Sequence, residues 1–151
     1  MAATGCRVGE LQLMRVEDLD QRTGELLLHG KGSKQRLVVL PANVLVVVRA
    51  LMFSRRAGPL WLSQGGNPLS AHQLRKRLYA LADKAGLPAV HPHRLRAGFA
   101  TAFIEQTGDL QALQVILGHE SVSTTARYTE YTKQRRAMDL MKRFNPAANI
   151  A

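Results

Sequence analysis

Residues 24–40, GELLLHGKGSKQRLVVL, hold two β-prone runs on either side of a glycine-rich turn. The runs Glu25–His29 and Gln35–Leu40 flank Gly30-Lys31-Gly32-Ser33-Lys34, a pattern that predicts a β-hairpin. Pro41 ends the second strand, because it has no N–H to give to a ladder. Most of the rest of the chain reads as helix or loop. "GCRVGELQLM" predicts a helix with Val8, Leu11 and Met14 on one face, and "ANVLVVVRALMFSRR" predicts another after Pro41. Residues 57–69 are rich in glycine and proline and read as a loop, with a short strand at Leu60–Leu62. Ser70 and Gln73 form an S-x-x-Q capping box that opens a helix to about Lys84, stopped by Gly86 and Pro88. "HPHRLRAGFATAFIEQTG" predicts a helix ending at Gly108, and Asp109 caps "LQALQVILGH". Ser121 or Ser123 caps a short helix carrying Tyr128, and a last helix spans about 133–143 before Pro146. The expected fold class is α+β, mostly helical, with one small antiparallel β-sheet in the form of a hairpin.

The chain has 151 residues, enough for one domain with a real core. Its 21 lysines and arginines against 11 acids give a net charge of +10. The distribution is one-sided. Between Glu25 and Asp83 there is no acid, but there are nine bases: Lys31, Lys34, Arg36, Arg49, Arg55, Arg56, Arg75, Lys76 and Arg77. A field of one sign attracts a polyanion, with nucleic acid the first candidate and an anionic membrane surface the second. A basic soluble protein with neither partner is the plainest alternative. No apolar run approaches the roughly 20 residues that span a bilayer. The first residues, "MAATGCRVGE", have neither the basic front nor the apolar centre of a signal peptide. The one cysteine, Cys6, has no partner for an internal disulfide, which suits a reducing cytoplasm.

Four short segments carry residues suited to phosphate chemistry: "CRVGEL", "GKGSKQR", "HPHRLR" and "LGHESVSTTARY". Each alone has a plain structural reading. Arg7 and Glu10 are spaced as a helix ion pair, a turn lysine is ordinarily solvated, and "GH" after an apolar helix is often a C-cap. Taken together and in this order, they resemble the tyrosine recombinase family of phage integrases and Xer recombinases. That family is marked by an arginine in an "ATGxRxxEL"-like helix, a lysine in a β-turn, an H-x-x-R pair, an "LGH", and a tyrosine nine residues after that histidine. This chain offers Arg7, Lys31, His93 with Arg96, His119, and Tyr128, and 128 − 119 = 9. The likeness runs from "ATGCRVGEL" to the "NPAA" tail, and the tail is nearer to Xer-type proteins.

The resemblance implies a tyrosine recombinase catalytic-domain fold and a site-specific recombinase or integrase. Such an enzyme cleaves and rejoins DNA through a 3′-phosphotyrosyl intermediate, without a metal or other cofactor. The residue chemistry agrees. Attack on a phosphodiester loads charge onto the non-bridging oxygens, and guanidinium forks match those oxygens while staying charged. Arg7 and Arg96 are then the clamps and Tyr128 the nucleophile, with Lys31 protonating the departing 5′ oxygen. His93 and His119 assist at the phosphate, and Glu10 orients Arg7. A tyrosyl phosphodiester conserves bond energy, so rejoining needs no ATP. Lys34 competes with Lys31 for the acid role, and His91 competes with His93, although only His93 stands three residues before Arg96. Lys34, Arg36, Arg75, Lys76, Arg77 and Arg94 are the expected DNA contacts. A zinc site built on His91, His93 and His119 lacks further ligands.

The resemblance also implies an N-terminal DNA-clamping domain and first catalytic-domain helices ahead of "ATGCRVGEL". The expected organisation is therefore one truncated catalytic domain over 1–151, with residues 138–151 as a tail helix and extension. The implied partners are double-stranded DNA and other protomers, in a tetramer on paired sites joined through the tail. No membrane or small-molecule substrate is implied, and the expected location is the cytoplasm, at the nucleoid. Two other readings share these residues: a DNA-binding fragment made inactive by truncation, and a type IB topoisomerase-like relaxing enzyme.

Overall fold

The computed structural model describes residues 1–87, 90–118 and 137–138. The chain divides into two compact units, Met1–Phe99 and Ala100–Ala151. The first holds α1 (Val8–Leu13), β1 (Glu25–His29), β2 (Gln35–Val39), α2 (Ala42–Met52) and α3 (Ala71–Lys84). Helix α4 (Pro92–Thr107) begins in the first unit and ends in the second, which also holds α5 (Leu110–Leu117).

The hairpin forms where the sequence predicts it, with β2 one residue shorter. The strands pair antiparallel, with Leu26 opposite Val38 and Leu28 opposite Arg36. Side chains alternate between faces along a strand. Leu26, Leu28, Val38 and Leu40 are accordingly buried, while Leu37 and Val39 are exposed. The same alternation puts Arg36 on the buried face, at the turn end of the ladder. The turn winds through a 3-10 segment, Lys31–Ser33, with Gly32 at φ +70° and Ser33 at φ +60°. It closes with the Gly30 N–H donating to the Lys34 carbonyl at 2.7 Å. The inner face of the hairpin packs in a core with Cys6, Met14, Leu45, Val48, Met52 and Leu60.

Two expectations need correction. No strand forms at Leu60–Leu62. Instead there are isolated bridges, Arg15 with Pro59 and Leu62 with Pro68. Each bridge contains a proline, which cannot donate, so neither pair propagates into a ladder. Helix α2 stops at Met52 rather than running on to Arg56, because Phe53 turns to φ +50°. Arg55 then folds back and donates to the carbonyls of Pro59 at 2.7 Å and Leu60 at 3.1 Å. A short 3-10 turn at Val16–Asp18, unpredicted, leads from α1 to the hairpin.

Helix ends follow the capping rules. Ser70 Oγ accepts from the Gln73 N–H at 3.2 Å, and Gln73 Oε1 accepts from the Ser70 N–H at 2.8 Å. Gly86, at φ +63°, ends α3. Gln12 Oε1 accepts from the Ala71 N–H at 3.2 Å, tying α1 to the start of α3. In the second unit Asp109 Oδ1 accepts from the Ala112 N–H at 2.8 Å, and Gly118, at φ +61°, closes α5. Ala100, Ile104, Leu113 and Leu117 are buried there at i, i+4 spacing. Pro88, the expected helix around Tyr128 and most of the expected 133–143 helix lie outside the described residues. Ala137 and Met138 are helical. No described helix is long and apolar enough to cross a membrane.

Candidate functional site

Charged groups are rarely buried, and among the described residues two are: Glu10 and Arg96. They face each other. Arg96 Nη1 stands 4.0 Å from Glu10 Oε2 and also donates to the Gly5 carbonyl. Gly5 presents that carbonyl from a left-handed turn at φ +63°. Thr4, the third buried polar residue among those described, precedes it.

Glu10 is the centre of the cluster. It occupies the third position of α1, and its Oε2 accepts the backbone N–H of Arg7 at 2.6 Å. That bond satisfies a donor which the N-cap arginine leaves open. Arg7 Nη1 reaches Glu10 Oε1 at 3.2 Å, with the Arg7 side chain 47% exposed against 4% for Glu10. Arg36 approaches from the hairpin. Its Nη1 donates to Oε1 and its Nη2 to Oε2 at 2.8 Å, which makes a bidentate fork. Three guanidinium groups thus surround one carboxylate, and the cluster is net positive. The turn itself comes close to the same carboxylate. A Cβ on Gly30 would lie 3.8 Å from Glu10 Oε1 and 3.2 Å from the Lys34 carbonyl oxygen. Glycine at position 30 lets the backbone leading into Lys31 run beside the site.

Burial pushes the Glu10 carboxyl up. Hydrogen bonds from Arg36 and the Arg7 backbone, with the charges of both arginines, outweigh that and hold it below the ordinary value of 4.5. A carboxyl lowered by folding stabilises the fold above its unfolded pKa. That contribution disappears as pH falls through the lower, folded value. Thermal melts should therefore lose stability more steeply below about pH 4.5 in the wild type than in Glu10→Gln. Parallel curves for the two proteins would remove Glu10 from the acid response.

The sequence-predicted residues fall into several groups. Arg7, Glu10 and Arg96 come together. His93 and Arg94 are exposed in the first turn of α4, and His93 and Arg96 share a helix face by their three-residue spacing. The rival His91 lies just before α4, where its ring meets Tyr79 edge-on at 5.7 Å. Lys31 opens the turn by its backbone, and Lys34, exposed, ends it. The Lys31 side chain, His119 and Tyr128 lie outside what the structure describes. Arg75, Lys76 and Arg77 are exposed on α3, and Arg77 also lines an apolar cavity of about 540 Å³ with Leu74, Leu78 and Leu81. Sequence reasoning missed the Arg36–Glu10 fork and the Gly5 carbonyl. The first had a signal, since Arg36, Val38 and Leu40 alternate with Gln35, Leu37 and Val39.

The model of the phage integrase family matches residues 1–135, which include every candidate site residue. Tyrosine recombinase XerC of Lactobacillus delbrueckii subsp. bulgaricus is 34% identical over 152 residues, covering 94% of this chain and 52% of that protein. Among solved structures, XerA recombinase is 30% identical with a TM-score of 0.79, over 95% of this chain and 54% of that one. XerH site-specific recombinase, in a post-cleavage complex with palindromic difH substrate, is 31% identical with a TM-score of 0.71. That match covers 92% of this chain and 42% of the XerH chain. The chain spans about half the length of the curated relatives it matches. With one family running through all four candidate segments, and a fold shared with recombinase structures, the chain belongs to the phage integrase family of tyrosine recombinases.

Proposed function

We propose that this chain is the catalytic part of a site-specific DNA recombinase that breaks and rejoins strands through Tyr128. The observation that carries this reading is the net-positive cluster in which Arg7 and Arg96 flank the buried Glu10. A pre-set pair of guanidinium groups suits the charge that grows on a phosphate as its fifth oxygen arrives, and needs no reorganisation at that moment. In the proposed step the Tyr128 phenol oxygen bonds to phosphorus and the bond to the 5′ oxygen breaks. The phenol passes its proton to a histidine base, His93 or His119, and the leaving oxygen takes one from Lys31. His93 and His119 hydrogen-bond to the phosphate oxygens. Reversal by another 5′ hydroxyl rejoins the strand.

Double-stranded DNA is the proposed partner, in the cytoplasm at the nucleoid. Lys34, Arg75, Lys76, Arg77 and Arg94 supply candidate phosphate contacts. The test is incubation with nicked suicide substrates carrying candidate sites, in which the cut strand cannot be resealed. A covalent protein–DNA adduct is the expected product. Uncut DNA across all sites, with DNA binding retained, would reduce the chain to a binding module.

The tail extends the proposal. Met138, Leu140, Met141 and Phe144 are apolar, and the i, i+1 and i+4 spacing of Leu140, Met141 and Phe144 would put them on one face of a helix. A helix docked on a neighbouring protomer in a tetramer would couple assembly to the nearby nucleophile. Deleting 138–151 should weaken cooperative binding to a two-site DNA and spare a single half-site. Undiminished cooperativity would assign the tail to its own protomer.

A further inference from the structure

We infer that Arg36 is a positioning residue, whose task is to saturate Glu10 so that Arg7 and Arg96 are not drawn onto its carboxylate. The inference rests on the proposed cleavage chemistry and adds a residue to it. A carboxylate offers about four acceptor directions. In this structure Glu10 receives the Arg7 backbone N–H, Arg7 Nη1, and both terminal nitrogens of Arg36. Arg36 alone fills two of the four. Arg96 meanwhile stays at 4.0 Å, outside hydrogen-bond range of that carboxylate. The Arg7 guanidinium touches it through one nitrogen, and that side chain is half-exposed.

Remove the Arg36 fork, and a buried carboxylate is left short of donors. Such a group recruits whatever cation is near. The nearest are Arg7 and Arg96, the two groups needed at the phosphate. Arg36 thus prevents Glu10 from consuming the clamps, and its own charge makes the cluster more positive. Its place in the fold fits the task. It stands opposite Leu28 on the buried face of the hairpin, with its side chain 11% exposed. From there it ties the strand after the turn lysine to the helix that starts at Arg7. A lysine could match the charge but not the fork.

The experiment uses the full chain with Arg36→Met, Arg36→Lys and the double variant Arg36→Met/Glu10→Gln. Single-turnover cleavage of a suicide substrate and DNA affinity are measured side by side. Cleavage should slow roughly 10- to 100-fold in Arg36→Met, as expected for misplaced catalytic groups, with little loss of affinity. Arg36→Lys should recover little of it. The double variant should recover much of the rate, because a neutral amide no longer draws the clamps inward. Equal losses of affinity and rate, or full recovery by lysine, would make Arg36 a plain phosphate contact and overturn the inference. So would additive losses in the double variant.

A wild-type chain that does not cleave would sink the proposed function without deciding the role of Arg36. The carbon-13 resonance of the Glu10 carboxyl then serves as the readout, with Arg36→Lys measured beside Arg36→Met in case the latter fails to fold. Its titration midpoint should rise in both variants. A midpoint that stays at the wild-type value would overturn the inference.

Discussion

Tyr128→Phe is expected to abolish the covalent adduct on suicide DNA while leaving affinity nearly unchanged. A phenol titrates near pH 10, so at neutral pH it is a weak nucleophile until its proton is drawn off and its oxygen stabilised. The substitution removes that oxygen and keeps the ring. The change separates chemistry from binding cleanly, because the proposed reacting atom is the only one lost. Denaturing gels of the trapped complex give the readout, with gel-shift titration as the binding control. An adduct that persists in Tyr128→Phe would transfer the nucleophile elsewhere, and Tyr131 would be tested first.

Arg7→Ala and Arg96→Ala should each slow cleavage on the order of a hundredfold or more, about 3 kcal/mol of barrier, and cost less in binding. The structure adds a difference between them. Arg96 is buried, donates to the Gly5 carbonyl and faces Glu10. Its removal strands a carbonyl and leaves a buried carboxylate less compensated, which should lower stability by about 1–3 kcal/mol. Arg7 is 47% exposed, and its one side-chain contact with Glu10 is open to solvent screening. Arg7→Ala should therefore melt close to the wild type. Single-turnover rates, affinities and melting curves for both variants distinguish the contributions. Rate and affinity falling together would make the arginines anchors for DNA rather than groups that act as charge develops.

The glutamate between them connects these expectations. Losing one clamp changes how Glu10 holds the other, so the two substitutions share a partner and should not be additive. Arg36 belongs to the same unit, although it lies 26 residues from Glu10 in sequence.

Much of this molecule is written locally. The hairpin, the capping box of Ser70 and Gln73, and the Asp109 cap all depend on residues within a few positions of each other. Their hydrogen bonds form where the pattern predicts them. The ordered motifs that gave the family were likewise legible, because each is a short run of residue types at fixed spacing. What the tertiary structure alone decided is which charges meet. The acid-free run of bases reads from sequence as one solvated field. In the fold, Arg36 turns to Glu10, Arg49 donates to the Gln21 carbonyl, and Arg55 caps carbonyls of the Pro59 loop. Chain reversal brings the Glu10 and Gln21 acceptors within reach from 26 and 28 residues away, and a charge count carries no record of it. Glu10 shows the limit most plainly. Its three-residue spacing from Arg7 is a local fact, but its burial against Arg36 and Arg96 depends on a hairpin and a helix that return to α1 from distant parts of the chain.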